Sequence, residues 1–171
     1  MNNAYFTRAL VTLLQREGLY SNDPKDRGGE TAFGISKVKN PKAWKNGRPT
    51  LEDAKVFYWD EFWFPLRAGN FFSEVGAELF DSGVNAGRSR ASKWLQKAYN
   101  LTRPEKWKPL KVDGKIGPKT QSAVNRLCGR RSWREALVVA MNGYQFMHYA
   151  KQNDHHHIRG WLSKRVGGYG T

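Results

Sequence analysis

Residues 4–18 read Ala-Tyr-Phe-Thr-Arg-Ala-Leu-Val-Thr-Leu-Leu-Gln-Arg-Glu-Gly, and this stretch decides how the chain begins to fold. Its apolar residues recur three and four positions apart, which is the spacing that lines one face of an α-helix. They are Phe6, Ala9, Leu10, Leu13 and Leu14. Gly18 follows, and glycine commonly ends a helix because it accepts the left-handed conformation. The stretch therefore predicts an amphipathic helix over residues 4–17.

Comparable patterns predict five further helices. Thr50 can cap a helix that runs to Trp59 or Phe62 and is stopped by Pro65. The other four are expected over residues 73–85, around residues 91–98, over residues 118–127 and over residues 133–149. Residues 21–35 are rich in Gly, Asp and Asn and predict a loop or a short hairpin. We therefore expect a mainly α fold with a small loop or hairpin next to the first helix.

The composition is that of a folded and strongly basic protein. Hydrophobic residues make up 39% and aromatic residues 13% of the 171 positions, enough for one compact domain or two small lobes. The formal net charge is +14, and residues 71–171 carry most of it, with 18 Lys and Arg against 7 Asp and Glu. Such a charge attracts polyanions, because it raises their local concentration at the surface. Nucleic acid, an anionic membrane and the bacterial cell wall are the classes of partner to weigh.

The sequence indicates neither a disulfide framework nor an export signal. Cys128 is the only cysteine, so no intramolecular disulfide is possible, and its helical apolar surroundings favour a core residue over a nucleophile. Arg8 and Arg16 bracket a short apolar run without a small-residue cleavage site, which is not typical of a signal peptide. We therefore expect synthesis in a reducing cytoplasm.

Glu17 stands at the end of the first helix, in an unusual place for a charge. It follows Leu13 by four residues and Leu14 by three, so its side chain falls on the apolar stripe. Partial burial and the negative end of the helix dipole would both raise the pKa of its carboxyl. A carboxylic acid that stays protonated near neutral pH can protonate the leaving oxygen of a glycosidic bond. The alternative is a Glu that reaches solvent at a frayed helix end.

The segment after Gly18 supplies three candidates for a second carboxylate, namely Asp23, Asp26 and Glu30. If this segment folds back over the helix end, one of them faces Glu17 across a cleft. Two carboxylates on either side of one bond form the arrangement that glycoside hydrolysis uses. A purely structural role in a turn or a helix cap is the alternative.

The order of these residues resembles one enzyme family. Residues 17–20 read EGLY, residues 22–24 read NDP and residues 26–36 read DRGGETAFGIS. They closely resemble the phage-type N-acetylmuramidases, or endolysins, of glycoside hydrolase family 108, whose motif Glu-Gly-Gly-Tyr is followed by Asn-Asp-Pro and Gly-Gly-Glu-Thr. Leu19 stands where that family has a glycine. The resemblance implies a lysozyme-like helical fold with Glu17 as the catalytic acid.

The resemblance also implies roles for residues that follow Glu17. The wider lysozyme-like group places an acidic residue and a Thr after its catalytic Glu, and Asp26 and Thr31 match that order. We expect Asp26 to position water or to stabilise the oxocarbenium-like transition state, with Thr31 orienting the water. Asp23 and Glu30 are rivals for the role of Asp26. Contacts with the substrate are expected from Tyr20, Asp23, Glu30 and Phe33.

Motifs in the second half extend the resemblance over most of the chain. They are FDSGVNAG at residues 80–87, WLQKA at 94–98, VDGKIGPKT at 112–120 and RGWLSKRV at 159–166. They resemble the predicted peptidoglycan-binding region that follows the catalytic motif in the same family. Completing the helical core and the cleft is an equal alternative to binding. We expect a catalytic lobe over residues 1–78 and a basic helical lobe over residues 79–171, packed as one unit.

Aromatic and histidine residues invite further hypotheses. Five aromatic residues are candidates for stacking on sugar rings, although most are expected to be core: Tyr20, Phe33, Trp44, Trp59 and Trp63. A metal site would have to use His148 and His155–His157, but consecutive His side chains cannot all face one ion, and no carboxylate or Cys stands at a ligand spacing. We expect neither a metal nor another cofactor.

Two other functions stay open as alternatives. A nucleic-acid-binding protein would explain the charge and the interleaved Trp and Arg, but it would not explain the segment around Glu17. A lytic transglycosylase acts on peptidoglycan with a single catalytic acid and releases an anhydro product. The carboxylates near Glu17 favour hydrolysis over this route.

We therefore expect a muramidase that cleaves the β-1,4 bond between N-acetylmuramic acid and N-acetylglucosamine in host cell lysis. It is expected to act as a monomer on peptidoglycan glycan strands, with no nucleic-acid partner. The basic second half is a candidate for contact with anionic outer-membrane lipid. The protein is expected to accumulate in the host cytoplasm and to reach the wall in the periplasm after a holin opens the inner membrane.

Overall fold

The chain folds mainly into α-helices, as expected. The computed structural model describes residues 4–22 and 29–151, apart from the side chains of Arg16 and Glu17. Over these residues it contains six α-helices and one small antiparallel sheet. Contacts divide the chain into two compact units, Met1–Pro65 and Leu66–Thr171. Within the described ranges, no helix is long and apolar enough to cross a membrane.

The first unit combines two helices with the sheet. In chain order its elements are α1 (Ala4–Glu17), β1 (Tyr20–Ser21), β2 (Thr31–Ala32), β3 (Ile35–Ser36), a 3-10 turn (Pro41–Trp44), α2 (Leu51–Tyr58) and a π-helical turn (Trp59–Trp63). The sheet order is β1-β2-β3, with Tyr20 opposite Ala32 and Ala32 opposite Ile35. Where the sequence predicted a loop or a short hairpin, β2 and β3 form a hairpin, and β1 pairs with the other edge of β2.

The apolar stripe of α1 forms the core of the first unit. Phe6, Leu10 and Leu13 are buried. The Phe6 ring lies 5.1 Å from the Trp59 ring and 5.4 Å from the Trp63 ring. These contacts explain why the sequence repeats apolar residues at helical spacing, since each turn of α1 adds to one packed face.

Capping fixes where α2 begins. The Thr50 hydroxyl accepts a hydrogen bond from the Asp53 backbone N–H, and the Asp53 carboxylate accepts one from the Thr50 backbone N–H, which together form a capping box. The helix changes to π-helical geometry after Tyr58, where the Phe64 N–H bonds to the Trp59 carbonyl. The regular α-helix is therefore shorter than the longest range that the sequence allowed.

The second unit is a helical bundle. Its elements are a 3-10 turn (Ala68–Asn70), α3 (Ser73–Ala86), α4 (Arg88–Thr102), α5 (Pro118–Cys128) and α6 (Arg131–Lys151). Helix α4 packs against α3 and α6, and α5 packs against α6. Gly87, with a φ of +86°, separates α3 from α4, and Pro118 opens α5, both as expected. Helix α6 extends beyond the expected residues 133–149 at both ends.

The core of this second unit is apolar and includes the single cysteine. Leu95, Leu127, Leu137 and Met141 are fully buried. Burial raises the pKa of the Cys128 thiol to about 12, so the thiol stays protonated near neutral pH. A buried, protonated thiol fits the expected role as a core residue.

The compact units follow a different division from the expected functional lobes. Residue 78, after which we placed the boundary, lies inside α3, and a continuous helix packs as one body. The compact units instead divide between the π-helical turn and α3, at Pro65 and Leu66. The assignment of a separate function to residues 1–78 and 79–171 stays a prediction.

Candidate functional site

The C-terminal end of α1 places Glu17 at the start of the candidate site. Glu17 is the last residue of the helix, and Gly18 follows with a φ of +82°. The Gly18 N–H bonds to the Leu14 carbonyl at 3.1 Å, which closes the last turn. The Glu17 side chain lies outside the described part of the chain, so its expected position on the buried stripe and its raised pKa stay predictions.

The turn between β2 and β3 is fixed from two sides. Phe33 has a φ of +50° and Gly34 a φ of +77°, the pattern of a tight hairpin turn of type I′. The Phe33 N–H donates to the Leu19 carbonyl at 2.7 Å, and the Tyr58 hydroxyl donates to the Phe33 carbonyl at 2.9 Å. A left-handed conformation is strained for a bulky residue, so these two bonds hold it in place. The turn that carries Phe33 is thereby tied to the chain just after Glu17.

Glu30 lies in a charged cluster on the sheet. Its carboxylate accepts hydrogen bonds from the Lys37 ammonium at 2.9 Å and from the Tyr20 hydroxyl at 3.3 Å. The Arg48 Nε lies 3.8 Å from the same carboxylate, and the Arg48 guanidinium stacks 3.9 Å from the centre of the Tyr20 ring. We call Tyr20, Glu30, Lys37 and Arg48 the Glu30 cluster. Two of its members were expected as substrate-binding residues, and the structure brings them together.

Electrostatics in this cluster keep Glu30 ionised. The hydrogen bond from Lys37 lowers the pKa of Glu30, and the charges of Lys37 and Arg48 and the hydrogen bond from Tyr20 act in the same direction. An ionised carboxylate with these partners can accept hydrogen bonds or face a developing positive charge, but it holds no proton to donate near neutral pH. Glu30 therefore does not suit the role of a general acid.

Thr31 lies on β2 beside Glu30. Its hydroxyl donates to the Gly29 carbonyl at 3.2 Å, and its side chain is half-buried. The hydroxyl oxygen keeps acceptor capacity for a water molecule. The other two carboxylates of the prediction, Asp23 and Asp26, lie outside the described residues, so their placement opposite Glu17 stays a prediction.

A cleft of about 630 Å³ opens within the first unit, between β3 and the π-helical turn. Its charged lining residues are Lys39, Lys42, Arg48, Asp53, Asp60 and Glu61. Asp53 is committed to the capping box, and its hydrogen bonds with Thr50 lower its pKa. Asp60 and Glu61 lie on the π-helical turn, a geometry often found at functional sites. Sequence reasoning missed this cleft, because its residues follow no regular period; the Pro and Gly residues of the segment at residues 41–49 were the available signal.

Most of the candidate stacking aromatics belong to the core, as expected. Trp44 and Trp63 are buried, and Trp59 is half-buried against Phe6. The Trp44 indole N–H donates to the Ile35 carbonyl at 3.1 Å, which fixes the 3-10 turn against β3. Tyr20 is 46% exposed, so it keeps a surface for a ligand.

Of the histidines considered as metal ligands, only His148 lies within the described residues. His148 lies on α6 beside the Trp94 ring, and burial and the nearby Arg90 lower its pKa. In the parts of the chain that the structure describes, no three His, Cys, Asp or Glu side chains form a metal-binding group. His155–His157 lie outside those parts.

Comparisons with known proteins agree with the order of the sequence motifs. Residues 10–87 match the family model described as Glycosyl hydrolase 108, and residues 90–166 match the one described as Predicted Peptidoglycan domain. The structure of SagA from Brucella abortus is similar over 95% of this chain and 89% of that chain, with a TM-score of 0.73 and 24% sequence identity. At this identity the likeness concerns the fold alone. Together with the first family match, it confirms the expected lysozyme-like helical fold. No curated protein sequence matched significantly.

Proposed function

We propose that this chain, whose residues 10–87 belong to the glycosyl hydrolase 108 family, cleaves the β-1,4 bond between N-acetylmuramic acid and N-acetylglucosamine. A predicted peptidoglycan domain follows at residues 90–166. The two matches in this order indicate a glycoside hydrolase that acts on peptidoglycan, and they are the observation that carries the proposal. The choice of bond rests on the muramidase motif at residues 17–36.

In this proposal Glu17 is the general acid. It protonates the glycosidic oxygen as the bond to the muramic acid carbon breaks, and the positive charge that develops on the sugar ring is spread over an oxocarbenium-like transition state. The hydrogen bonds of Gly18 and Leu19 support this role, because they fix the backbone on the C-terminal side of Glu17. A fixed backbone limits the positions that the carboxyl can reach, which is what proton transfer requires.

Asp26 and Thr31 are proposed to act on the water that completes hydrolysis. Asp26 positions the water or stabilises the oxocarbenium-like transition state, and Thr31 orients the water through its hydroxyl oxygen. Asp23 is the rival for the role of Asp26. Glu30 stays a second rival, and because Lys37 and Tyr20 fix its carboxylate by hydrogen bonds, it is also suited to hold the substrate.

The glycan strand is proposed to contact Tyr20 and Phe33 and to continue into the cleft of the first unit. Tyr20 offers a half-exposed ring, and Phe33 stands on the rigid turn beside the end of α1. The cleft carries carboxylates and the amides of Asn40 and Asn46. Such groups bind sugar hydroxyls and acetamido groups because both are hydrogen-bonding partners.

Product analysis tests the proposed bond. Purified peptidoglycan is digested with the full chain, and the released fragments are identified by mass spectrometry before and after borohydride reduction. Reducing N-acetylmuramic acid ends are expected. Anhydromuramic ends would identify a lytic transglycosylase, and reducing N-acetylglucosamine ends would identify a glucosaminidase, so either result contradicts the proposal.

We also propose a biological role in phage-mediated host lysis, on the strength of the resemblance to phage enzymes. The protein would act on the wall as a monomer once the inner membrane is opened. Expression in the cytoplasm of a Gram-negative host, followed by membrane permeabilisation, should cause rapid lysis that an inactive variant does not cause. Lysis at equal rate without permeabilisation would contradict the holin-dependent route.

A further inference from the structure

The second unit contains an open groove of about 1040 Å³ between the segment after α4 and the start of α5. It is lined by Lys106, Trp107, Lys108, Leu110, Lys119 and Arg126, among others. We call it the Trp107 groove. Most of its lining lies before the motif at residues 112–120 and within α5, at positions for which the sequence predicts no specific ligand.

Asn100 of α4 and Arg103, which follows the last residue of α4, hold this irregular segment in place. Asn100 both donates to the Leu110 carbonyl at 2.8 Å and accepts from the Leu110 N–H at 2.7 Å. Arg103 donates to the carbonyls of Pro104, Glu105 and Trp107. The backbone that carries the groove residues is thus fixed before any ligand arrives, which lowers the entropic cost of binding.

Two tryptophans between two arginines form a row of contacting side chains that begins in the groove lining, with Arg126 and Trp107. The Arg126 guanidinium lies 4.2 Å from the centre of the Trp107 ring, and the Trp107 and Trp133 rings are 5.8 Å apart at 73°. Arg130 lies 4.9 Å from the Trp133 ring. Stacking holds the guanidinium of Arg126 by its face, so the N–H groups on its edge remain available as a planar fork of donors.

The positive charges of the groove have no counter-ion within the described residues. Lys106, Lys108, Lys119 and Arg126 are exposed, and none of them forms an ion pair with a described Asp or Glu. None of the described lining residues is acidic. Helix α5 also begins here, at Pro118, and its N-cap residue Gly117 provides no side-chain cap, so the positive end of the helix dipole is added to the groove. The groove is therefore complementary to an anion.

We propose that the Trp107 groove binds the carboxylate-bearing stem peptide of peptidoglycan. The proposal rests on peptidoglycan being the substrate, and it names which part of that polymer the second unit recognises. The sugar rings of the glycan strand carry no net charge, because the lactyl carboxyl of muramic acid is bound to the peptide as an amide. The stem peptide carries free carboxylates, which match the guanidinium fork of Arg126 and the ammonium groups of Lys106 and Lys119.

A free stem peptide tests the proposal without involving catalysis, since it contains no glycosidic bond. A synthetic stem tetrapeptide is titrated into the full chain, and binding is followed by the NMR shift of the Trp107 indole N–H, assigned with Trp107→Phe. The double variant Lys119→Gln/Arg126→Gln should bind about tenfold more weakly, because each lost contact is a charge-assisted hydrogen bond. Arg126→Lys keeps the charge but loses the fork, and a smaller loss is expected.

Two controls separate specific recognition from general charge. Lys111→Gln/Lys115→Gln removes the same amount of charge from the neighbouring segment before α5, outside the groove lining, and it should leave binding unchanged. The peptide with its carboxylates converted to amides should bind at least tenfold more weakly than the free acid, since it keeps the shape but loses the charge.

Several outcomes would overturn the proposal. They are the absence of binding, equal binding of the amidated peptide, equal weakening by the Lys111/Lys115 control, and tighter binding of a single-stranded oligonucleotide that displaces the peptide. Failure of the proposed bond is distinguishable: stem-peptide binding together with anhydro products would keep this inference and sink the muramidase assignment. Muramidase products without stem-peptide binding would sink this inference alone.

Discussion

Several described arginines stack on an aromatic ring, and two of them, Arg48 and Arg126, differ in what else faces the guanidinium. In the Glu30 cluster, Arg48 lies 3.9 Å from the Tyr20 ring and 3.8 Å from the Glu30 carboxylate. In the Trp107 groove, Arg126 lies 4.2 Å from the Trp107 ring without a described carboxylate partner. The first arginine is neutralised within its own unit. The second keeps its charge for a ligand.

The difference shows that the cations of a strongly basic chain fall into two groups: those that form ion pairs within the fold, and those that remain available to bind an anion. An ion pair within the fold fixes the segments that carry it, as Lys37 and Arg48 fix Glu30 on the sheet, and such an exposed pair adds little to stability. Cations that share a groove without counter-ions repel one another, and that repulsion is relieved when an anion binds. A net charge of +14 therefore does not by itself locate a binding site. The cations that form ion pairs within the fold must first be distinguished from those that do not.

The largest effect is expected from the scaffold behind the Trp107 groove. Buried Gln96 accepts from the Gly114 N–H at 2.9 Å and donates to the Lys115 carbonyl at 3.1 Å. Gln96→Ala leaves both backbone groups without these partners and should lower the free energy of unfolding by about 2 to 3 kcal/mol. Urea denaturation measures this loss, and binding of the stem peptide should weaken as well.

The exposed neighbour Lys97 provides the control for Gln96. Lys97→Ala lies on the same helix and removes only an exposed contact of the ammonium with the Tyr144 ring, 5.7 Å away, so it should lower the free energy of unfolding by less than about 1 kcal/mol. If Gln96→Ala lowered the free energy of unfolding no more than this control, the shape of the segment after α4 would not depend on its hydrogen bonds with α4. The groove would then not be fixed before a ligand binds.

A smaller effect, on stem-peptide binding, is expected when a carboxylate is introduced beside Arg126. Arg126 would then have a counter-ion within the fold, as Arg48 has in the Glu30 cluster. Ser122 lines the groove one helical turn before Arg126, so Ser122→Glu places a carboxylate at the i,i+4 spacing that pairs well with arginine. This internal partner should compete with the stem peptide and weaken its binding about tenfold, equivalent to about 1.4 kcal/mol. Calorimetric titration with the stem peptide measures it.

Ser122→Gln is the matched control, because it has nearly the same shape without the charge. It should bind the stem peptide like the original chain. If Ser122→Glu and Ser122→Gln weakened stem-peptide binding equally, the size of the side chain and not its charge would determine binding. The contrast with the Glu30 cluster would then not hold.

The smallest effect is expected from removing the counter-ion in the Glu30 cluster. Because the pKa of Glu30 in the folded chain lies below its ordinary value of 4.5, ionised Glu30 stabilises the fold above about pH 4.5, and this contribution is lost as the pH falls further. Glu30→Gln should therefore lower the melting temperature slightly at pH 7, and the difference should vanish in strong acid. Thermal unfolding of both proteins across that range checks it.

Glu105→Gln serves as the control for the loss of one negative charge, since Glu105 is exposed on the segment after α4. A gap between the original chain and Glu30→Gln that stays constant or widens as the pH falls would contradict the pairing of Glu30 with Lys37 and Arg48. The Glu30 cluster would then lack the internal neutralisation that sets it apart from the Trp107 groove.

The helices could be predicted from the sequence because their signals are local. Apolar spacing indicated α1, Pro118 indicated the start of α5, and Thr50 indicated the cap of α2. Sites are harder to predict, because their residues are often far apart in the sequence. The sequence spacing of Glu30, Lys37 and Arg48 does not predict their contact, because this contact depends on the turns between them.

Other features depend on tertiary contacts that no sequence period records. The left-handed Phe33 persists because Leu19 and Tyr58 hold its backbone groups. The segment after α4 acquires its shape from Asn100 and Arg103, although neither residue stands out in the sequence. The roles of Glu17, Asp23 and Asp26 stay predictions that rest on the motif.

The proposal that Glu17 is the general acid of a muramidase is tested most directly by one measurement of reaction rates. Rates of release of reducing N-acetylmuramic acid ends from purified peptidoglycan are compared for the original chain, Glu17→Gln and Glu52→Gln, with circular dichroism and melting temperature as tests of folding. Glu52 is an exposed carboxylate of α2 in the same unit and serves as the matched control. Glu17→Gln should stay folded and lose roughly 10²-fold to 10⁴-fold in rate, the usual contribution of a general acid, while Glu52→Gln keeps its activity. A folded Glu17→Gln variant that releases these ends at nearly the original rate would contradict the account.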